Sequence, residues 1–214
     1  MSMIAELLQS GYPRDLASAM VVNFRIAGLA LAMGLALGLP LALARAGGRA
    51  WRHAVAPVLG LMRAAPTFVV MFYLLNVVPR DFSLGGVSLA PSGPMIVALS
   101  LVPYAAAYAA DNGGEALRSL RRGSLDGALL FVPNIVRAFF VLVMSSSTGA
   151  AIGVNEGVAV VLREADRWNT LGDKLIVFAI GVIAFGLVFQ SGFALMRLAV
   201  ARLGRRHRAR IRSG

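Results

Sequence analysis

The sequence predicts an all-α membrane protein, a polytopic bundle of about five transmembrane helices, and three observations carry that expectation. Apolar residues make up 58% of the 214, and charged residues only 14%. Soluble domains run at about 45–50% apolar with roughly a quarter of residues charged, so charge here is too sparse to cover a water-facing surface. Five apolar runs of 16 to 22 residues are bounded by charges or turn residues, and the basic residues gather in alternate connections between them.

A helix crossing about 30 Å of hydrocarbon needs about 20 residues at 1.5 Å each. The first run, Ile26 to Ala44, carries no charge and stops at Arg45. The second, Ala64 to Pro79, lies between Arg63 and Arg80, and the third, Pro94 to Ala110, ends at Asp111. Both are short for a span, which implies little tilt or extension by flanking turns. The fourth, Ile135 to Val154, contains Arg137, and the fifth, Leu175 to Met196, is free of charge. Ahead of them, residues 1–17 form an N-terminal segment in which Ile4, Leu7 and Leu8 have the spacing of a short amphipathic helix on the membrane surface. Without a basic n-region, and with Pro13, Arg14 and Asp15 interrupting it, this segment does not read as a cleaved signal peptide. Residues 18–200 make the transmembrane domain and 201–214 a basic tail.

Cytoplasmic connections are enriched in Lys and Arg, which orients the spans. One side holds Arg45, Arg49, Arg52 and Arg63, then Arg118, Arg121 and Arg122, then seven Arg from Arg197 to Arg212, fourteen in all. The other holds Arg14, Arg25, Arg80, Arg163, Arg167 and Lys174, diluted by Glu6, Asp15, Asp81, Glu156, Glu164, Asp166 and Asp173. With five spans, the N-terminus is expected outside and the C-terminal tail in the cytoplasm, where it can touch anionic lipid. The net charge of +11 would fit a nucleic-acid partner, but phosphate binding needs basic residues spread over a water-exposed face, so no nucleic acid is expected. There is no Cys, and His53 and His207 both lie in Arg-rich segments, leaving no metal site, no catalytic set and no cofactor in view.

Polar groups inside spans are the natural functional candidates. Arg25 and Arg137 lie near span ends and can snorkel to the headgroups. Ser145, Ser146, Ser147 and Thr148 sit within the fourth run, and four consecutive hydroxyls point all round a helix. They either bond back to carbonyls and allow close packing, or line a polar pathway with Asn76, Tyr104, Gln190 or Ser191 opposite; the residues alone leave both readings open. Gly34 and Gly38 form a GxxxG pair that permits close backbone approach and argues for a packed bundle. Pro40, Pro66 and Pro103 are expected to kink or start helices.

The order of these features resembles the permease subunits of ABC importers for polar amino acids, of the histidine and glutamine type. Arg63, Ala64, Ala65 and Pro66 look like that family's Arg-Gly-Thr-Pro motif, and Ala98 to Leu101 with Ala106 to Asp111 are similar to its third span. Gly123, Ser124, Leu125, Asp126, Gly127 and Ala128 resemble its Gly-Gln-x-Glu-Ala-Ala, while Met144 to Ser147 and Ile152, Gly153, Val154 resemble its Lys-Asp-Thr-Ser and Ile-Gly-Val segment. The likeness runs from about Ala17 to Arg202. It implies an ABC type-1 permease fold in a bacterial cytoplasmic (inner) membrane. It also implies a second permease, identical or not, an ABC ATPase subunit that carries the ATP hydrolysis, and an extracytoplasmic solute-binding protein. Gly123, Asp126, Gly127 and Ala128 then fall in the ATPase-coupling segment, and Ser145, Ser146 and Ser147 near the solute pathway. The sequence departs from the pattern at Ala64, Ala65, Asp126, Gly127, Met144 and Ser145, and Pro133 follows at once where the family continues its coupling helix.

That shortened segment keeps a non-ABC small-solute exporter or an accessory membrane bundle as the alternative. A lipid-modifying enzyme fits less well, because no Asp cluster follows Asp126-Gly127 to hold a metal. A serine protease lacks a His in any span to act as base.

Overall fold

The computed structural model describes residues 3–79, 83–84, 87–88 and 91–212, with side chains described within 3–79 and 91–198. Arg80 and Asp81, and the side chains of the tail arginines from Arg202 to Arg212, therefore lie outside the described set. The expected all-α membrane fold is the one observed. Among the described residues, four helices are long and apolar enough to cross a membrane, and a bent helix pair raises the number to five if it forms one span. Among the described residues the β-structure is a two-residue antiparallel pairing of β1 (Ser83–Leu84) with β2 (Val87–Ser88). The chain divides into two compact units, residues 1–163 and 164–214.

In the first unit, α1 (Met3–Gln9) buries Leu7 and leaves Ile4 and Leu8 exposed. α2 (Tyr12–Arg45) is a single 34-residue helix that begins well before the apolar run counted from Ile26. Pro13 suits its first turn, where a missing N–H costs nothing. Its partner is α5 (Gly93–Arg121), and small residues set how closely the two approach. A Cβ at Gly34 would lie 2.4 Å from the Ala105 Cβ, and one at Gly38 would lie 2.4 Å from the Ala106 carbonyl oxygen. The GxxxG pair is thus spent inside the chain, on dispersion contacts that operate without a hydrophobic drive in lipid. Pro40 and Pro103 sit inside continuous helices.

The second apolar run folds differently from a straight span. α3 (Arg49–Ala64) buries Val55 and Leu59, and α4 (Thr67–Val77) follows after a 91° bend. Pro66 disfavours helical backbone at Ala65, which is extended, and then caps α4. At 11 residues, α4 spans roughly 16 Å, about half of a hydrocarbon core. Beyond α5 come α6 (Leu125–Leu129) and α7 (Phe131–Ser145), a 3-10 segment (Ser146–Ile152) and α8 (Gly157–Ala165). Gly123 and Gly153 stop α5 and the 3-10 segment at φ of 76° and 81°, a region where a side chain is strained.

The second unit holds the end of α8, where Glu164 pairs with Arg167 at 3.0 Å, and the 42-residue α9 (Leu171–Arg212). Thr170 and Asp173 start α9 reciprocally: the Thr170 hydroxyl donates to the Asp173 carboxylate at 2.6 Å and accepts from the Asp173 N–H at 3.2 Å. The charge-free stretch 175–196 lies wholly within α9.

Candidate functional site

A buried polar knot joins three elements of the first unit. Asn23, on α2, is fully buried. Its amide nitrogen donates to the Ser146 hydroxyl at 2.9 Å and to a Glu156 carboxylate oxygen at 2.8 Å, with the Ser147 hydroxyl at 3.4 Å. Its amide oxygen accepts from the Gly157 N–H at 2.9 Å. Glu156 is also fully buried, and its two oxygens accept from the N–H groups of Val158 and Ala159 at 3.0 and 2.9 Å.

Glu156 therefore caps α8 with a carboxylate. The unpaired N–H groups of the first helical turn and the positive end of the helix dipole meet its charge, and no cation contacts it among the described residues. A buried carboxylate is costly unless hydrogen-bonded, and here three donors compensate it. The arrangement holds α2, the 3-10 segment and the start of α8 in one register.

The hydroxyl run stands where α7 gives way to the 3-10 segment, so it does not wind round a regular helix. Ser146 donates to the Val143 carbonyl at 2.7 Å and Thr148 to the Ser145 carbonyl at 2.9 Å, bonds to residues three back that favour the tighter 3-10 turn. Back-bonding and polar contact thus occur together, since the Ser146 hydroxyl that donates to Val143 also accepts from Asn23. Thr148 lies 3.8 Å from the sulfur of Met71 on α4. Ser145 and Ser147 are half-buried. Of the residues expected opposite, Asn76 donates to the Phe72 carbonyl of its own helix at 2.7 Å, and Tyr104 stacks at 6.0 Å on Tyr108. Gln190 belongs to the second unit and is exposed; its neighbour Ser191 bonds back to the Leu187 carbonyl at 2.8 Å.

At the other end of α5, Asp111 is clasped by two arginines. Arg63 reaches it as a fork, at 3.0 and 2.6 Å, and Arg45 adds a contact at 3.0 Å, so one carboxylate ties α2, α3 and α5 together. Asn134 of α7 donates to Asn112 at 2.8 Å beside this cluster. In the segment after α5, Ser124 caps α6 by accepting from the Gly127 N–H at 3.2 Å, and Asp126 is exposed. Gly127 sits against Ser119, whose hydroxyl would lie 2.8 Å from an added Cβ, and Ala128 is half-buried.

Sequence reasoning missed two members of the knot. Asn23 fell just outside a span counted from Ile26, and Glu156 was counted among outer-loop acids. An amide near the start of a long apolar stretch, and an acid directly before a helix, were the available signals.

The structure superposes on a chain described as coming from the "Crystal structure of an amino acid ABC transporter with histidines", with a TM-score of 0.62, covering 92% of this chain and 98% of that one. The two chains share a fold. Their sequences are 15% identical over the aligned residues. No family model matches this chain, and no curated protein matches it.

Proposed function

We propose that this chain is the membrane-spanning permease subunit of an ATP-binding-cassette importer that carries a polar amino acid. The observation that carries the reading is the shared fold over 92% of this chain and 98% of an amino acid ABC transporter chain. The motif order from Arg63 to Val154 supports it independently. On this reading the chain hydrolyses nothing itself. A separate ATPase docks at the segment with Gly123, Asp126, Gly127 and Ala128, a second permease completes the pathway, and an extracytoplasmic solute-binding protein delivers the solute. The chain lies in a bacterial cytoplasmic (inner) membrane with its N-terminus outside.

The Asn23–Ser146–Glu156 knot then has a mechanical role. It fixes the break between α7 and the 3-10 segment, so that Ser145 and Ser147 keep their places beside the solute pathway while the helices move between outward and inward openings. The test is to solubilise the tagged chain from its native membrane and to measure uptake of labelled amino acids with and without it. Co-purification of an ATPase and loss of uptake of one polar amino acid are expected. Repeated recovery of the chain alone, with uptake unchanged, overturns the proposal.

One feature favours a second reading, an accessory bundle or non-ABC exporter: α6 has five residues, little more than one turn, to offer a partner. Transport that persists after ATP depletion, and is indifferent to replacement of Asp126, supports that reading over the first.

A further inference from the structure

No side-chain cation lies within ion-pair distance of the buried Glu156 carboxylate among the described residues. Every group that reaches it is a neutral donor: the Asn23 amide nitrogen at 2.8 Å and the N–H groups of Val158 and Ala159 at 3.0 and 2.9 Å. The N-terminus of α8 supplies about half a unit of positive charge, which leaves about half a unit of negative charge uncompensated. Arg25 follows Asn23 by two residues, which turns it to the opposite side of α2, and it is exposed. Arg163 of α8 is bonded to the exposed Asn155 amide and is itself exposed, so water and salt screen it.

That charge reaches the hydroxyl run through one shared amide. Asn23 has two amide hydrogens, and the bonds of 2.9 Å to Ser146 and 2.8 Å to Glu156 use both. The Ser147 hydroxyl, 3.4 Å from the same nitrogen, has the weakest of the three contacts, so its oxygen retains acceptor capacity. Ser146 is fully buried and Ser147 half-buried, so Ser147 is the member of the pair that a solute can reach. Ser145 is half-buried as well.

Oxygen acceptors beside an uncompensated negative charge favour a cationic group over a neutral or anionic one. We propose that the solute passing Ser145 and Ser147 is an amino acid with a cationic side chain, selected by Glu156 acting across Asn23. The Ser147 hydroxyl touches the solute; Glu156 sets its charge without touching it. At about 6–8 Å and an effective dielectric of about 20, half a unit charge changes the affinity for a unit cation about five- to ten-fold. The inference rests on the transport reading, which places Ser145 and Ser147 beside the solute pathway.

The test measures solute affinity on the detergent-purified chain with the subunits that accompany it and no solute-binding protein added, from the rise of the thermal midpoint with solute concentration. L-Arginine is compared with L-citrulline, which has nearly its shape without its charge, and L-lysine with L-glutamine. At least one cation is expected to bind about five- to ten-fold more tightly than its neutral partner. Glu156→Gln keeps an acceptor for the first turn of α8 and is expected to equalise the pair. Ser147→Ala leaves the bonds from Asn23 to Ser146 and Glu156 in place and is expected to weaken the cation more than its neutral partner. Asp166→Asn, at an exposed acid, is expected to leave the preference unchanged. Cations that fail to bind, or bind no more tightly than their neutral partners, overturn the proposal. So does a preference that survives Glu156→Gln, or one that Asp166→Asn removes equally, since it would then belong to diffuse surface charge. Should Glu156→Gln not be recovered folded, Ser147→Ala decides, and equal weakening of both solutes overturns the proposal. ATPase co-purification is scored on the same preparations. An ATPase present without a cation preference defeats this inference alone, whereas recovery of the chain without one defeats the transport reading.

Discussion

Replacing Glu156 with alanine removes the acceptor of three donors at once, two of them N–H groups of the first turn of α8. Leaving such groups buried and unpaired is expected to cost about 3 kcal/mol. For a chain of this size that lowers the thermal midpoint of the detergent-solubilised protein by roughly 6–12 °C. Asn23→Ala is expected to cost nearly as much, and the double variant much less than the sum, because the two side chains share one bond. Additive losses in that cycle would show that the knot does not act as a unit. A second comparison isolates close packing. Gly34→Ala forces a Cβ to within 2.4 Å of Ala105 and is expected to cost about 1–3 kcal/mol, whereas Gly28→Ala meets nothing within 4 Å and is expected to be neutral or mildly stabilising. Both residues are glycines in the same apolar run, and the sequence alone does not distinguish them. Only the position of α5 does.

Two elements behaved differently from their hydropathy. The run from Ala64 to Pro79 is apolar enough for a span, yet its helix is short and meets α3 at 91°. Hydropathy averages over residues and carries no information about backbone direction, whereas Pro66 does, and it lies inside the run. α3 is held by Val55 and Leu59, which pack with Ala110 of α5, and by the Asp111 clasp, whose side chains are about 40% exposed. Exposed pairs are worth about 1 kcal/mol or less each, so Asp111→Asn is expected to leave the fold intact. Faster amide hydrogen exchange confined to α3 is the expected result, and exchange unchanged there would show that Val55 and Leu59 suffice to hold it. The hydroxyl run is the other case. Its residues were visible as unusual, but their placement at an α to 3-10 transition depends on Asn23 reaching across from a helix more than a hundred residues earlier in the chain.

For the whole molecule, the orientation derived from charge gives a direct expectation. Because there is no native cysteine, a membrane-impermeant thiol reagent applied to intact cells is expected to label Thr170→Cys and to spare Ser124→Cys. Labelling of Ser124→Cys alone would invert the topology. Membrane character and helix class were legible in the sequence, because they follow from local composition: too little charge for a water-facing surface, and apolar runs of bilayer length. The sequence did not show which glycines are crowded, or that an apparent loop acid is a buried helix cap. Those are relations between residues far apart in the chain, and they exist only once α2, α5 and α7 have packed. The sequence by itself determined the solvent in which this protein folds; the tertiary structure decided which polar groups are satisfied within it, because burial and hydrogen-bond partners are set by packing and not by composition.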